Sequence, residues 1–141
     1  MERPLIGEIL MKRKRITQAQ LDHALQSQKK ENGFVGEILV KLGYVDERDI
    51  VVAQVVQCGL PYIAVNKYTI DPQVLQAIPK EVVVRERLVP LDRIGDILSV
   101  VMANPLSDAK KAELEALTKC RVAIFIATKT EIDEAIARLY H

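Results

Sequence analysis

Cysteine is scarce in this sequence. There are two in 141 residues, Cys58 and Cys120, far apart and neither in a CxxC pair. That excludes a disulfide framework and leaves too few ligands for a structural metal site, so both thiols are expected to be buried and reduced. Histidine is as rare, with His23 and the terminal His141 alone. His23 falls on a polar stretch and reads as a solvated residue rather than a base or ligand. The three serines sit in no nucleophile elbow and beside no histidine, which removes a hydrolase triad. No Gly-rich loop ending in Gly-Lys-Ser or Gly-Lys-Thr is present, so nothing grips an ATP phosphate in the Walker manner. The closest carboxylates, Asp46, Glu47 and Asp49, gather where a helix is expected to start, and its dipole favours acids there for structural reasons. The chain does not read as an enzyme.

An excess of one charge is missing too. Twenty basic side chains stand against 19 acidic ones, a formal net charge of +1. A dedicated nucleic-acid binder would be strongly basic, so nucleic acid is not an expected partner. No apolar run approaches the roughly 18 residues of a membrane helix, because Gln54 and Gln57 interrupt the longest. The opening MERPLIGE lacks the basic-then-apolar layout of a signal peptide. The expectation is a soluble, cytoplasmic protein without direct membrane insertion. Its one strong charge cluster, Lys12-Arg13-Lys14-Arg15, reads either as a solvated loop or as a contact for a phosphate, an acidic partner or an anionic membrane.

What the sequence has in quantity is apolar surface, 49% of residues, enough for a core without staples. It also has a duplication. Residues 6–28, IGEILMKRKRITQAQLDHALQSQ, and 35–57, VGEILVKLGYVDERDIVVAQVVQ, align at an offset of 29. Seven of the 23 positions are identical, and Ile6/Val35, Met11/Val40, Ile16/Val45 and Leu21/Ile50 differ only by apolar swaps. Each copy reads as a short helix, a break and a longer helix. Thr17 with Gln20 makes a capping box, Asp46 is a good N-cap, and Gly43 can end the short helix before it. Leu21, Ala24, Leu25 and Gln28 share one helical face. The second copy carries Ile50, Val51, Val52, Ala53, Val55 and Val56, apolar nearly all round, and should be the more buried. Residues 1–57 therefore read as a four-helix subdomain of two repeated helical hairpins, with repeats at 5–28 and 34–57.

Residues 58–141 read as a connector and an α/β subdomain, making the chain α+β, a helical subdomain packed on a small ββαβα-like sandwich. The connector, 58–70, loses helical period at Gly and Pro. DPQVLQAIPKEVVVRER suggests two short helices broken before Pro79. Two strands with a turn at RIGD follow. Then come a helix capped by Ser107 or Asp108, the strand RVAIFIA, and a helix capped by Thr128 or Thr130. Strand, helix, strand implies a parallel crossover.

These residues together resemble a family. The pattern GEIL…I…L..AL..Q, twice, followed by GLPYI, DP, IP, VPL, V.MANP and ATKTEIDEAI, is similar to the N-terminal, MshEN-type domain of type II secretion and type IV pilus assembly ATPases. The likeness runs over essentially the whole chain. It implies a cytosolic regulatory and docking module without catalysis of its own. The implied partner is an apparatus protein, such as the cytoplasmic domain of a membrane component, or the ATPase itself, with recruitment to the inner membrane through that partner. Some members bind cyclic di-GMP with the two repeated motifs, and a two-fold ligand suits a duplicated surface. Carried onto this sequence, the ligand residues would be Arg3, Gly7, Leu10, Leu25 and Gln28 with the first copy. Gly36, Glu37, Leu39, Gly43 and Gln57 belong to the second, and Asn104 to the MANP segment. The pattern departs at its start. Leu5 and Phe34 stand where the family motif has Arg, and Lys14 stands where its mid-motif Gly is expected.

Overall fold

In the computed structural model, which describes residues 6–31 and 33–140, the chain divides into two units, Met1–Leu60 and Pro61–His141. The first holds four helices: α1 (Ile6–Lys12), α2 (Gln18–Glu31), α3 (Val35–Lys41) and α4 (Glu47–Cys58). The leading helix of each copy stops in the same way. Lys14 and Gly43 donate their backbone N–H to the carbonyls of Met11 and Val40, and Arg15 and Tyr44 reach back five residues to Leu10 and Leu39, at 2.9 and 3.0 Å. That wide bond belongs to a Schellman end, whose bridging residue must be left-handed. Gly43 meets the demand at φ 80, and Lys14 meets it at φ 60.

The longer helices also start alike. Thr17 Oγ1 accepts from the Gln20 N–H at 3.2 Å and Gln20 Oε1 accepts from the Thr17 N–H at 2.9 Å. Asp46 and Asp49 repeat the exchange at 2.9 and 3.1 Å. Both copies thus begin their second helix with a reciprocal capping box. The helices then pack chiefly across the copies, α1 on α4 and α2 on α3. The core they share is made of equivalent residues: Ile9 and Ile38, Leu10 and Leu39, Ile16 and Val45, Ala24 and Ala53. Each copy supplies half of one interior and cannot bury its apolar stripe alone.

One expectation is met here and another needs correcting. The α4 helix buries more than α2, taking in Val51, Ala53 and Gln54 where α2 buries only Ala24. Yet its all-round apolarity does not mean all-round burial, because Val52 and Val56 remain 39% and 54% exposed. The cysteines are both free, but only Cys120 is buried; Cys58, at the end of α4, is half-buried.

The second unit begins with the connector, which touches the end of a strand through Tyr62 and then forms a 3-10 turn at Val65–Lys67. Asp71 caps the short α5 (Pro72–Leu75), and Pro79 precedes α6 (Lys80–Glu86). Strands β1 (Leu88–Ile94) and β2 (Ile97–Met102) pair antiparallel about Gly95, with a bulge between Pro90 and Asp92. Helix α7 (Asp108–Thr118), capped by Ser107, crosses to β3 (Arg121–Ile126), which pairs parallel with β2. Thr128 caps α8 (Lys129–Leu139) with a full capping box. The sheet order is β1-β2-β3.

Leu88, Val89, Leu98, Val100, Val101 and Met102 meet Leu114, Ile132, Ala135 and Ile136 in a second core. The outer edge of β3 is protected at both ends. The Val122 N–H donates to Glu115 Oε2 at 2.9 Å, and Ile126 exchanges backbone bonds with Pro61 and Ile63. Tyr140 closes the unit by donating its hydroxyl to the Leu75 carbonyl at 3.0 Å, and burial pushes that phenol up to about 12. The exposed Asp96 lies against Arg121, whose guanidinium holds the carboxyl below its usual range.

Candidate ligand and docking surface of the repeats

The conserved spacing of the two copies carries into their side chains. A Cβ placed on Gly7 would stand 2.7 Å from Leu21 Cδ1, and one on Gly36 would stand 3.3 Å from Ile50 Cδ1. Leu21 and Ile50 are themselves repeat partners. The space each glycine leaves is filled by the second helix of its own copy, so these glycines let the helices close rather than present backbone to solvent. Leu10 and Leu39 are fully buried in the shared core. These four site candidates shape the surface from inside.

The remaining candidates lie nearer solvent. Leu25 is 40% exposed on α2. Half-buried Gln28 donates its amide to the Gly33 carbonyl at 2.8 Å, which ties the end of α2 to the link between the copies. Gln57 and Glu37 are also half-buried, and Gly43 has open space around it. Arg3 falls outside the described residues. Asn104 belongs to the second unit, so the structure does not group it with the repeat residues. Phe34, in the place of the family Arg, is 56% exposed at the start of α3 and makes no side-chain cap.

Reciprocal contacts lock one copy to the other. Arg15 Nε pairs with Asp49 Oδ1 at 3.3 Å, reaching from the turn after α1 to the first turn of α4. Its counterpart Tyr44 reaches the opposite way and shares a 2.6 Å hydrogen bond with His23 Nδ1 on α2. His23 is therefore exposed but engaged, not the merely solvated residue its neighbours suggested. Lys12, Arg13 and Lys14 point to solvent and form no ion pair among the described residues.

One residue was missed by sequence reasoning. Gln54 is 3% exposed, and its Oε1 finds no hydrogen-bond partner among the described residues. The signal was available: aligning the copies sets Gln54 against Leu25, an amide at an apolar position. Among the described residues no cluster of three or more His, Cys, Asp or Glu side chains is placed to hold a metal. No described helix is long and apolar enough to cross a membrane.

A duplicated four-helix unit and a three-stranded α/β unit make up a fold that this chain shares with known N-terminal domains. The N-terminal domain of XpsE shares this fold at a TM-score of 0.82, covering 100% of both chains at 22% identity. The MshEN domain model matches residues 58–141, and the chain belongs to the MshEN family. A structure of MshE with cyclic di-GMP (cdg) superposes on 98% of this chain and 100% of its own, at a TM-score of 0.82 and 27% identity. The type IV pilus assembly ATPase PilB of Myxococcus xanthus is 31% identical over 135 residues, 96% of this chain. The PilB of Thermus thermophilus is 28% identical over 137 residues. The chain spans 24% and 15% of the lengths of these two relatives.

Proposed function

We propose that this chain is a non-catalytic regulatory and docking module of a type IV pilus assembly or type II secretion ATPase, and that its interlocked repeats take up cyclic di-GMP. One observation carries the ligand reading. The two copies agree in the ends of their first helices, the caps of their second helices and their core pairs, and the same fold in MshE is seen with that dinucleotide. A pseudo-symmetric protein surface offers similar contacts to both halves of a two-fold ligand. Phe34 and Leu5 give no charge-assisted contact to guanine or phosphate, and each such contact is worth roughly 1.5–3 kcal/mol. Affinity is therefore lowered by about two to four decades against a chain with both arginines. Calorimetry on the wild type is expected to show binding no tighter than about micromolar, with Phe34→Arg tighter. An affinity unaltered by Phe34→Arg would overturn the role given to that position.

A docking role is favoured by a separate observation. Arg48, Val52 and Val56 follow each other at four-residue steps along the outer face of α4, and both valines are exposed. The partner is a cytoplasmic domain of a membrane-anchored apparatus component, which would recruit the chain to the inner membrane. Val52→Glu with Val56→Glu should abolish capture of that component while leaving the melting temperature unchanged. Undiminished capture would remove α4 from the contact.

A further inference from the structure

Aromatic side chains are scarce in the first unit, which contains Phe34 and Tyr44 and no others. Tyr44 is engaged by His23. The ring of Phe34 is 56% exposed and takes part in no aromatic contact among the described residues. One exposed apolar side chain is ordinary on any surface. Phe34 differs in being held at its backbone. Gln28 Nε2 donates to the Gly33 carbonyl at 2.8 Å, which ties the peptide unit that carries Phe34, and Phe34 itself is extended at φ −87 and ψ 135. Gln28 Oε1 accepts from no described residue. The junction between the copies thus joins an open aromatic ring and an open amide acceptor through one tied backbone segment.

We infer that Phe34 is the platform on which a purine of the dinucleotide stacks at the second repeat. This rests on the cyclic di-GMP reading above. A purine offers a π face to the ring, and its edge carries N–H donors for an acceptor such as Gln28 Oε1. The stack needs no enclosed cavity, because one open face of the ring suffices, and it supplies attraction without a charge. Binding at this repeat therefore depends on a flat ring where the first-position cation is absent. An arginine would also stack, through its planar guanidinium, so Phe34→Arg keeps the platform and adds the charge.

The test is a proton NMR titration of cyclic di-GMP with the whole chain, together with calorimetry and thermal melting, on the wild type, Phe34→Tyr and Phe34→Leu. Tyr keeps the ring, and Leu keeps the apolar bulk without it. A base stacked on an aromatic ring has its H8 resonance moved upfield by the ring current, which contact with an aliphatic side chain does not produce. The expected result is an upfield H8 shift with the wild type and Phe34→Tyr, and none with Phe34→Leu. Affinity should fall about fivefold or more in Phe34→Leu and hold in Phe34→Tyr. All three proteins should melt together, since no other ring packs on Phe34. Wild-type binding without the upfield shift, or equal affinity in Phe34→Leu, would overturn the platform and leave the ligand reading intact. A lower melting temperature of Phe34→Leu would assign the ring to the fold and overturn the platform as well. A wild type that gives neither heat nor shift would overturn the ligand reading, and this inference with it.

Discussion

Lys14 holds a left-handed backbone at φ 60 where its counterpart Gly43 has φ 80. For a residue with a Cβ that conformation costs about 1–2 kcal/mol, and glycine escapes most of it. The Schellman bond from Arg15 to Leu10 keeps Lys14 there regardless, at 2.9 Å. Lys14→Gly should therefore stabilise the chain by roughly 0.5–1 kcal/mol, the glycine's greater freedom in the unfolded chain offsetting part of the relief. Gly43→Ala should destabilise it by about 1 kcal/mol, although nothing lies within 4 Å to clash, because the penalty is in the backbone. Urea denaturation of both variants measures the difference. Two changes of the same sign would mean the turns are not equivalent.

The helices carry the next level of the argument. Thr17 and Asp46 each satisfy one free N–H of a second helix, and Gln20 and Asp49 return a bond to the cap. Thr17→Ala and Asp46→Ala should each cost about 1 kcal/mol, and the double variant should cost the sum because the caps share no partner. A cost confined to one cap would show that only one copy relies on it. Such elements were legible in the sequence, since their causes are local. Caps at Thr17, Asp46, Ser107 and Thr128, the break at Pro79 and the turn about Gly95 all depend on residues within a few positions. Contacts between elements were not. The periodicity of α4 says that valines lie all round it, not which of them finds a neighbour. The duplication says that two copies exist, not that α1 prefers α4. The site was legible in outline for the same reason. Gly7 and Gly36 were picked out by their position in the motif, but that Leu21 and Ile50 fill the space beside them is a fact of packing. Gln54 escaped because an amide in an apolar helix reads as an interruption until its burial is known.

At the scale of the molecule, two units with separate cores divide the chain at Leu60 and Pro61. The family model covers residues 58–141, the whole of the second unit and the last three residues of the first, whereas the duplicated surface lies wholly in the first. Family membership and the proposed ligand thus rest on different parts of the chain, and the ligand needs its own test. An amide NMR titration of the wild type with cyclic di-GMP supplies it. If the interlocked repeats bind a two-fold ligand, resonances should move in pairs 29 residues apart, Gly7 with Gly36 and Gln28 with Gln57. Shifts confined to residues 61–140, or no shift with the ligand in large excess, would contradict the account.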